Sequence, residues 1–156
     1  MGNKFITPEA KVYSYKEFLD STGYLIFTSV GTSMLPLLRQ QRDIIEIKRK
    51  ESEKYRKYEV ILYKRGEKYI LHRILRVLPT GYLIAGDHNT FVEKDVTDDM
   101  ILGVMTRVIR NGKSITPDNF FYKVYVHLWC DCYPVRMLIL KIKQRIRKIL
   151  SRIREE

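Results

Sequence analysis

Cysteine is nearly missing from this chain: Cys130 and Cys132 are the only two in 156 residues. At i, i+2 spacing they are a poor disulfide pair and supply at most half a metal site, so they read as reduced thiols of a cytosolic chain. Long apolar runs are missing as well. The opening MGNKFITPEAKVYSYKEF holds no stretch suited to a secretory signal. Nowhere does the chain reach the roughly 18–20 uninterrupted apolar residues that cross a bilayer. The nearest approach, Val124–Leu140, is broken by His127, Asp131, Pro134 and Arg136. Acid is scarce too, with 18 Asp and Glu against 29 Lys and Arg, a net charge of +11. The apolar and charged fractions are otherwise those of a folded globular chain, which excludes general disorder. Residues 135–156 carry eight Lys or Arg against two Glu, so over half of the excess sits in the last 22 residues. The body is only mildly basic, and its partner need not be a polyanion.

Within that body the pattern is one of short strands. Thr7-Pro8-Glu9 has the order of a helix start, with a hydroxyl cap, proline at the first helical position and an acid in the first turn. Val12, Tyr15, Phe18 and Leu19 follow at helical spacing, and Gly23 can end the helix. Strands are then predicted at Tyr24–Val30, Asp43–Arg49, Tyr58–Lys64, Lys68–Val77, Tyr82–Ala85, Met100–Ile109 and Lys113–Thr116. Tight turns are predicted at Arg65-Gly66 and Asn111-Gly112. Such density implies a mainly β, mostly antiparallel compact domain over residues 1–116, with an N-terminal helix. Residues 117–156 change character. An aromatic-rich segment from Asp118 to Tyr133 leads into Val135–Ile153, whose apolar residues recur at i, i+3, i+4 and i+7 among basic ones, predicting an amphipathic basic helix.

Three short motifs carry the candidate chemistry: Gly31-Thr32-Ser33-Met34-Leu35-Pro36, then Leu71-His72-Arg73-Ile74 on a strand, then Gly86-Asp87-His88-Asn89 with Glu93 and Asp95 behind it. A serine hydroxyl becomes a nucleophile only when a base takes its proton, and an acid commonly orients that base. His72 alternates with Ile70 and Ile74, so it should point inward, where a carboxylate can fix its tautomer. Singly these signals are ordinary, since a strand histidine is most often a core residue and Gly-Asp-His-Asn an unremarkable turn. Their joint order and spacing give them weight.

That set, S-M-x-P, strand H-R, then G-D-x-N, resembles the signal peptidase and self-cleaving repressor superfamily of serine proteases, most closely the ER-type branch with a Ser-His pair. The resemblance covers roughly Tyr24 to Ile109. It implies an antiparallel β fold with a shallow groove for an extended peptide, Ser33 as nucleophile, His72 as general base, and an acid at Glu93 or Asp87. Gly31, Met34 and Pro36 would shape the substrate site, with Leu35, Leu37 and Leu38 facing substrate or lipid. No metal or cofactor is implied. The chain departs from the pattern in four places: no N-terminal membrane span, His88 inside the glycine-aspartate box, glutamate rather than aspartate at position 93, and Gly31 where the bacterial branch has an oxyanion-binding serine. With that hydroxyl absent, backbone N–H groups would bind the oxyanion, and modest turnover is expected.

The expected function is therefore a serine endopeptidase acting on a leader-like or signal-like peptide. The alternative is a non-catalytic peptide- or membrane-binding module on the same fold. For the basic helix three readings stand open: packing on the β domain, lying on an anionic membrane through residues 135–153, or contacting nucleic acid, which is the least supported because no recognition motif accompanies it. The expected location is cytoplasmic, peripheral to the cytosolic face of a membrane.

Overall fold

The computed structural model describes residues 14–28, 30–49 and 54–155. Helix α1 (Tyr15–Thr22) begins at Ser14, whose hydroxyl accepts from the Glu17 N–H while the Glu17 carboxylate accepts from the Ser14 N–H, a reciprocal cap. The Thr7-Pro8-Glu9 start lies outside the described residues. Gly23 ends the helix in the left-handed region, φ 75°, as its sequence position predicts. Eight strands follow: β1 (Tyr24–Thr28), β2 (Asp43–Lys48), β3 (Val60–Arg65), β4 (Lys68–Leu78), β5 (Gly81–Ala85), β6 (Glu93–Val96), β7 (Ile101–Arg110) and β8 (Lys113–Ile115). They form one antiparallel sheet ordered β1-β2-β7-β3-β4-β5-β6, with β8 also paired to β7. The mainly β, antiparallel fold expected from the strand pattern is the fold observed. The β7–β8 hairpin turns through Asn111 and Gly112, both at positive φ (49° and 75°), which is why that dipeptide stands there.

The sheet is covered on both faces. In β3, Val60 and Leu62 join a core with Leu19, Leu38, Ile45 and Met105, while Ile61 and Tyr63 join a second core with Ile74, Ile84 and Val96. The aromatic segment after Pro117 folds as helix α2 (Phe120–Cys130), capped by the Asn119 side chain, and sends Tyr122, Val126 and Cys130 into the first core. Helix α3 (Tyr133–Glu155) follows. Among the described residues no helix is long and apolar enough to cross a membrane.

One expectation fails. Leu37 and Leu38 do not face substrate or lipid: they are buried in the first core at 8% and 1% exposure. The turn bearing Ser33 is thereby fastened by its own leucines, since burying an aliphatic side chain contributes about 1.5–3 kcal/mol.

Where β7 crosses β2 the backbones approach closely, and a Cβ on Gly103 would lie 2.6 Å from the Lys48 carbonyl and 2.8 Å from Ile47 Cγ2. Gly103→Ala should therefore cost about 1–3 kcal/mol of unfolding free energy. Urea denaturation followed by circular dichroism measures it, and an unchanged midpoint would contradict the close approach.

Candidate active site

The alternation of β4 sends adjacent residues to opposite faces. His72 shares its face with Ile70 and Ile74, and Arg73 shares the other with Leu71. Both are buried, at 5% and 0% exposure. Their surroundings differ completely.

On the His72 face, Nδ1 lies 3.0 Å from Glu93 Oε1. The Tyr63 hydroxyl donates to that same oxygen at 2.9 Å, and Arg65 Nη1 holds the other carboxylate oxygen at 3.0 Å. Burial pushes the His72 pKa down, against the pull of the Glu93 carboxylate in the opposite sense. The imidazole is thus neutral at neutral pH, its Nδ1–H donates to Glu93, and the lone pair on Nε2 is available to accept a proton. Burial, with Glu93 beside it, pushes the Tyr63 phenol well above its usual range, so Tyr63 stays a donor. At Nε2 stands the Asn89 carboxamide, with Nδ2 at 3.4 Å.

On the Arg73 face, the guanidinium grips Asp87 by two bonds of 2.9 and 2.7 Å, both side chains being fully buried. Tyr125 of α2 donates its hydroxyl to Asp87 Oδ2 at 2.9 Å, and the Trp129 indole donates to the Asp87 carbonyl at 2.7 Å. Arg73 also donates to the Tyr58 carbonyl and the Tyr122 hydroxyl. Of the two acids left open by the sequence, Glu93 touches the imidazole, and Asp87 spends both oxygens on Arg73 and Tyr125.

Ser33 sits in a helical turn after β1, where the Leu38 N–H donates to the Met34 carbonyl. Gly31 enters that turn at φ 97°, a conformation that favours glycine. The turn is pinned from below: Asp43 accepts from the Arg39 N–H and from Arg110, which itself donates to the Leu37 carbonyl. It is pinned from above by the His88 N–H, which donates to the Ser33 carbonyl at 2.7 Å. Gly86 makes this contact possible, because a Cβ there would lie 2.6 Å from the Ser33 carbonyl oxygen and 2.9 Å from Asn89 Nδ2. The Ser33 backbone, the Asn89 carboxamide and the Nε2 side of His72 are therefore neighbours. No hydrogen bond joins the Ser33 hydroxyl to His72 in this conformation; such bonds often tighten only with substrate present.

A groove of about 360 Å³ opens beside Ser33, lined by Gly31, Met34, Phe27, Thr28 and residues 69–71 of β4. It runs along β1, the terminal strand of the sheet. Pro36 lies away from this groove and lines two hollows on the side of α2 and α3. Among the described residues no cluster of three or more His, Cys, Asp or Glu could hold a metal ion. Asn89 closes the glycine-aspartate motif, whereas Tyr63 and Arg65 also belong to the site and were not singled out by motif. The turn falls at Gly66-Glu67, one residue beyond the predicted Arg65-Gly66, so Arg65 pairs with Lys68 and Ile61 with His72, leaving Tyr63 diagonal to the histidine on the same face.

Two outcomes follow from these geometries. Glu93→Gln removes the carboxylate that supports the imidazolium, so the His72 pKa should fall further, as read by NMR titration of the ring protons. A buried histidine of lowered pKa disfavours the fold as pH drops below about 6.5, where the unfolded chain takes up the proton first; that acid-side loss of stability should deepen in Glu93→Gln. Asp87→Ala should cost about 3–5 kcal/mol by stranding the Arg73 charge, and Asp87→Leu combined with Arg73→Met should recover much of it in thermal unfolding.

No protein-family model matches the chain, and no curated protein matches it significantly. The functional reading rests on the residues and their arrangement.

Proposed function

We propose that this chain is a serine endopeptidase resembling the ER-type signal peptidases, with Ser33 as nucleophile, His72 as general base and Glu93 as the acid that orients it. The observation that carries the reading is the Glu93–His72 contact, 3.0 Å at Nδ1, which leaves Nε2 basic and turned toward the loop packed on Ser33. In the proposed reaction the Ser33 hydroxyl attacks the scissile carbonyl while Nε2 takes its proton. The imidazolium formed is stabilised by Glu93 and then protonates the leaving amine. Water deacylates Ser33 with His72 again as base. The Ser33 N–H is the backbone donor for the oxyanion. The groove along β1 suits an extended peptide that adds its backbone to the sheet, and the resemblance points to a small side chain before the cut. Cys130 and Cys132, both free thiols, suit a reducing compartment and so the cytosolic side.

A second reading, a peptide-binding module without turnover, draws support from Asn89, whose carboxamide occupies the Nε2 position that the serine would need. Labelling with a fluorophosphonate decides between them. The protease reading expects a single adduct at Ser33, its loss in Ser33→Ala, and labelling slowed by about 10²–10⁴-fold in His72→Ala. Equal labelling of Ser33→Ala and the wild type would remove it.

A further inference from the structure

Helix α3 begins as part of the fold, and most of its described side chains beyond that point are exposed. Arg136 and Leu140 are each 1% exposed, and Arg136 Nη2 donates to the carbonyls of Gly86 and Asn89 at 2.5 and 3.2 Å. From Val135 to Leu150, however, seven apolar side chains stand 37–59% exposed, with Lys141, Lys143 and Arg145 exposed among them. Of the readings open from sequence, packing on the β domain therefore describes only the root of the helix.

At that root lies a hollow of about 350 Å³ with an unusual lining. Arg39, His88 and Lys143 line it together with Leu35, Pro36, Trp129, Leu140 and Ile146. The three come from three separate elements, the Ser33 turn, the glycine-aspartate loop and α3; Arg39 and Lys143 are cationic, and His88 brings an imidazole to the same lining. A hollow whose lining mixes apolar side chains with Arg39 and Lys143, beside an exposed stripe of isoleucine and leucine, matches a phospholipid: phosphodiester on the cationic groups, acyl chain along the stripe.

We propose that α3 and this hollow form a docking site for an anionic phospholipid surface, with a lipid phosphate held among Arg39, His88 and Lys143. The claim is independent of the catalytic reading. Charge chooses this occupant over a second copy of the chain. Residues 135, 139, 142, 146, 149 and 153 do follow a coiled-coil spacing. Yet residues 135–156 carry eight cationic side chains against two acids, so paired copies would repel where an anionic bilayer attracts.

The test uses the full chain and sedimentation with large vesicles. Binding to phosphatidylglycerol/phosphatidylcholine vesicles is expected to be at least tenfold tighter than to pure phosphatidylcholine. Ile142→Glu, in the exposed stripe, should abolish it. Arg39→Ala, remote from α3 in sequence, should weaken it about tenfold, whereas Lys141→Ala, outside the hollow, should cost about fivefold, the increment of one surface charge. Circular dichroism checks that each variant is folded. Absence of binding to the anionic vesicles would overturn the proposal, as would Arg39→Ala binding like wild type. So would salt-sensitive binding to duplex DNA in preference to vesicles, or a concentration-dependent oligomer that Ile142→Glu dissolves without any effect of lipid.

Discussion

The Arg73–Asp87 pair is the interaction on which the rest of this molecule depends. Two opposite charges with no exposure to water survive only when nearly every hydrogen-bonding direction is filled. Here Arg73 supplies bonds to Asp87, Tyr58 and Tyr122, and Asp87 receives Arg73, Tyr125 and, through its carbonyl, Trp129. One ion pair thereby joins β4, the loop after β5 and helix α2. The loop's position then sets the distance between the Ser33 turn and the histidine, because the same loop supplies His88 to the Ser33 carbonyl and Asn89 to the imidazole.

A consequence is the sorting of acids. His72 and Arg73 are consecutive, yet the pleat gives each its own carboxylate from its own side of the sheet. Arg73 withdraws Asp87 to one face, and Glu93, on the short strand β6, is left to meet His72 on the other. Tyr63 and Arg65 in turn hold both oxygens of Glu93, which restricts how that carboxylate can swing. The clamp comes from β3 and reaches over β4 and β5 to the carboxylate on β6.

How much of this was legible beforehand depends on range. Strands β1 to β5, β7 and β8 follow from alternation and turn residues, and Gly23 and Asn111-Gly112 fall where their left-handed conformations are needed. Strand β6 did not announce itself, for Glu93–Val96 is short, charged and paired on one side only, a common way of protecting a sheet edge. Helix α2 was hidden because its exposed face is also apolar, Phe120, Phe121 and Leu128 among it, which blurs the periodicity. Leu37 and Leu38 misled because leucines beside a serine motif were read as facing substrate or lipid, whereas the turn curls inward over the core. His72's inward direction was readable from its strand. The Arg73–Asp87 bond was not, since nothing local tells which of two acids a buried guanidinium will claim.

Gly86 bears on how this site can vary. The loop and the Ser33 turn meet across a gap too narrow for a methyl group, backbone to backbone, with a hydrogen bond on one side and a carboxamide on the other. The spacing of the two motifs is thus a property of main chain, largely indifferent to which side chains they bear. Such a seam accommodates the side chain of His88 and the bare backbone of Gly31 without moving Ser33. The hinge of the site is written in the one residue that has no side chain to change.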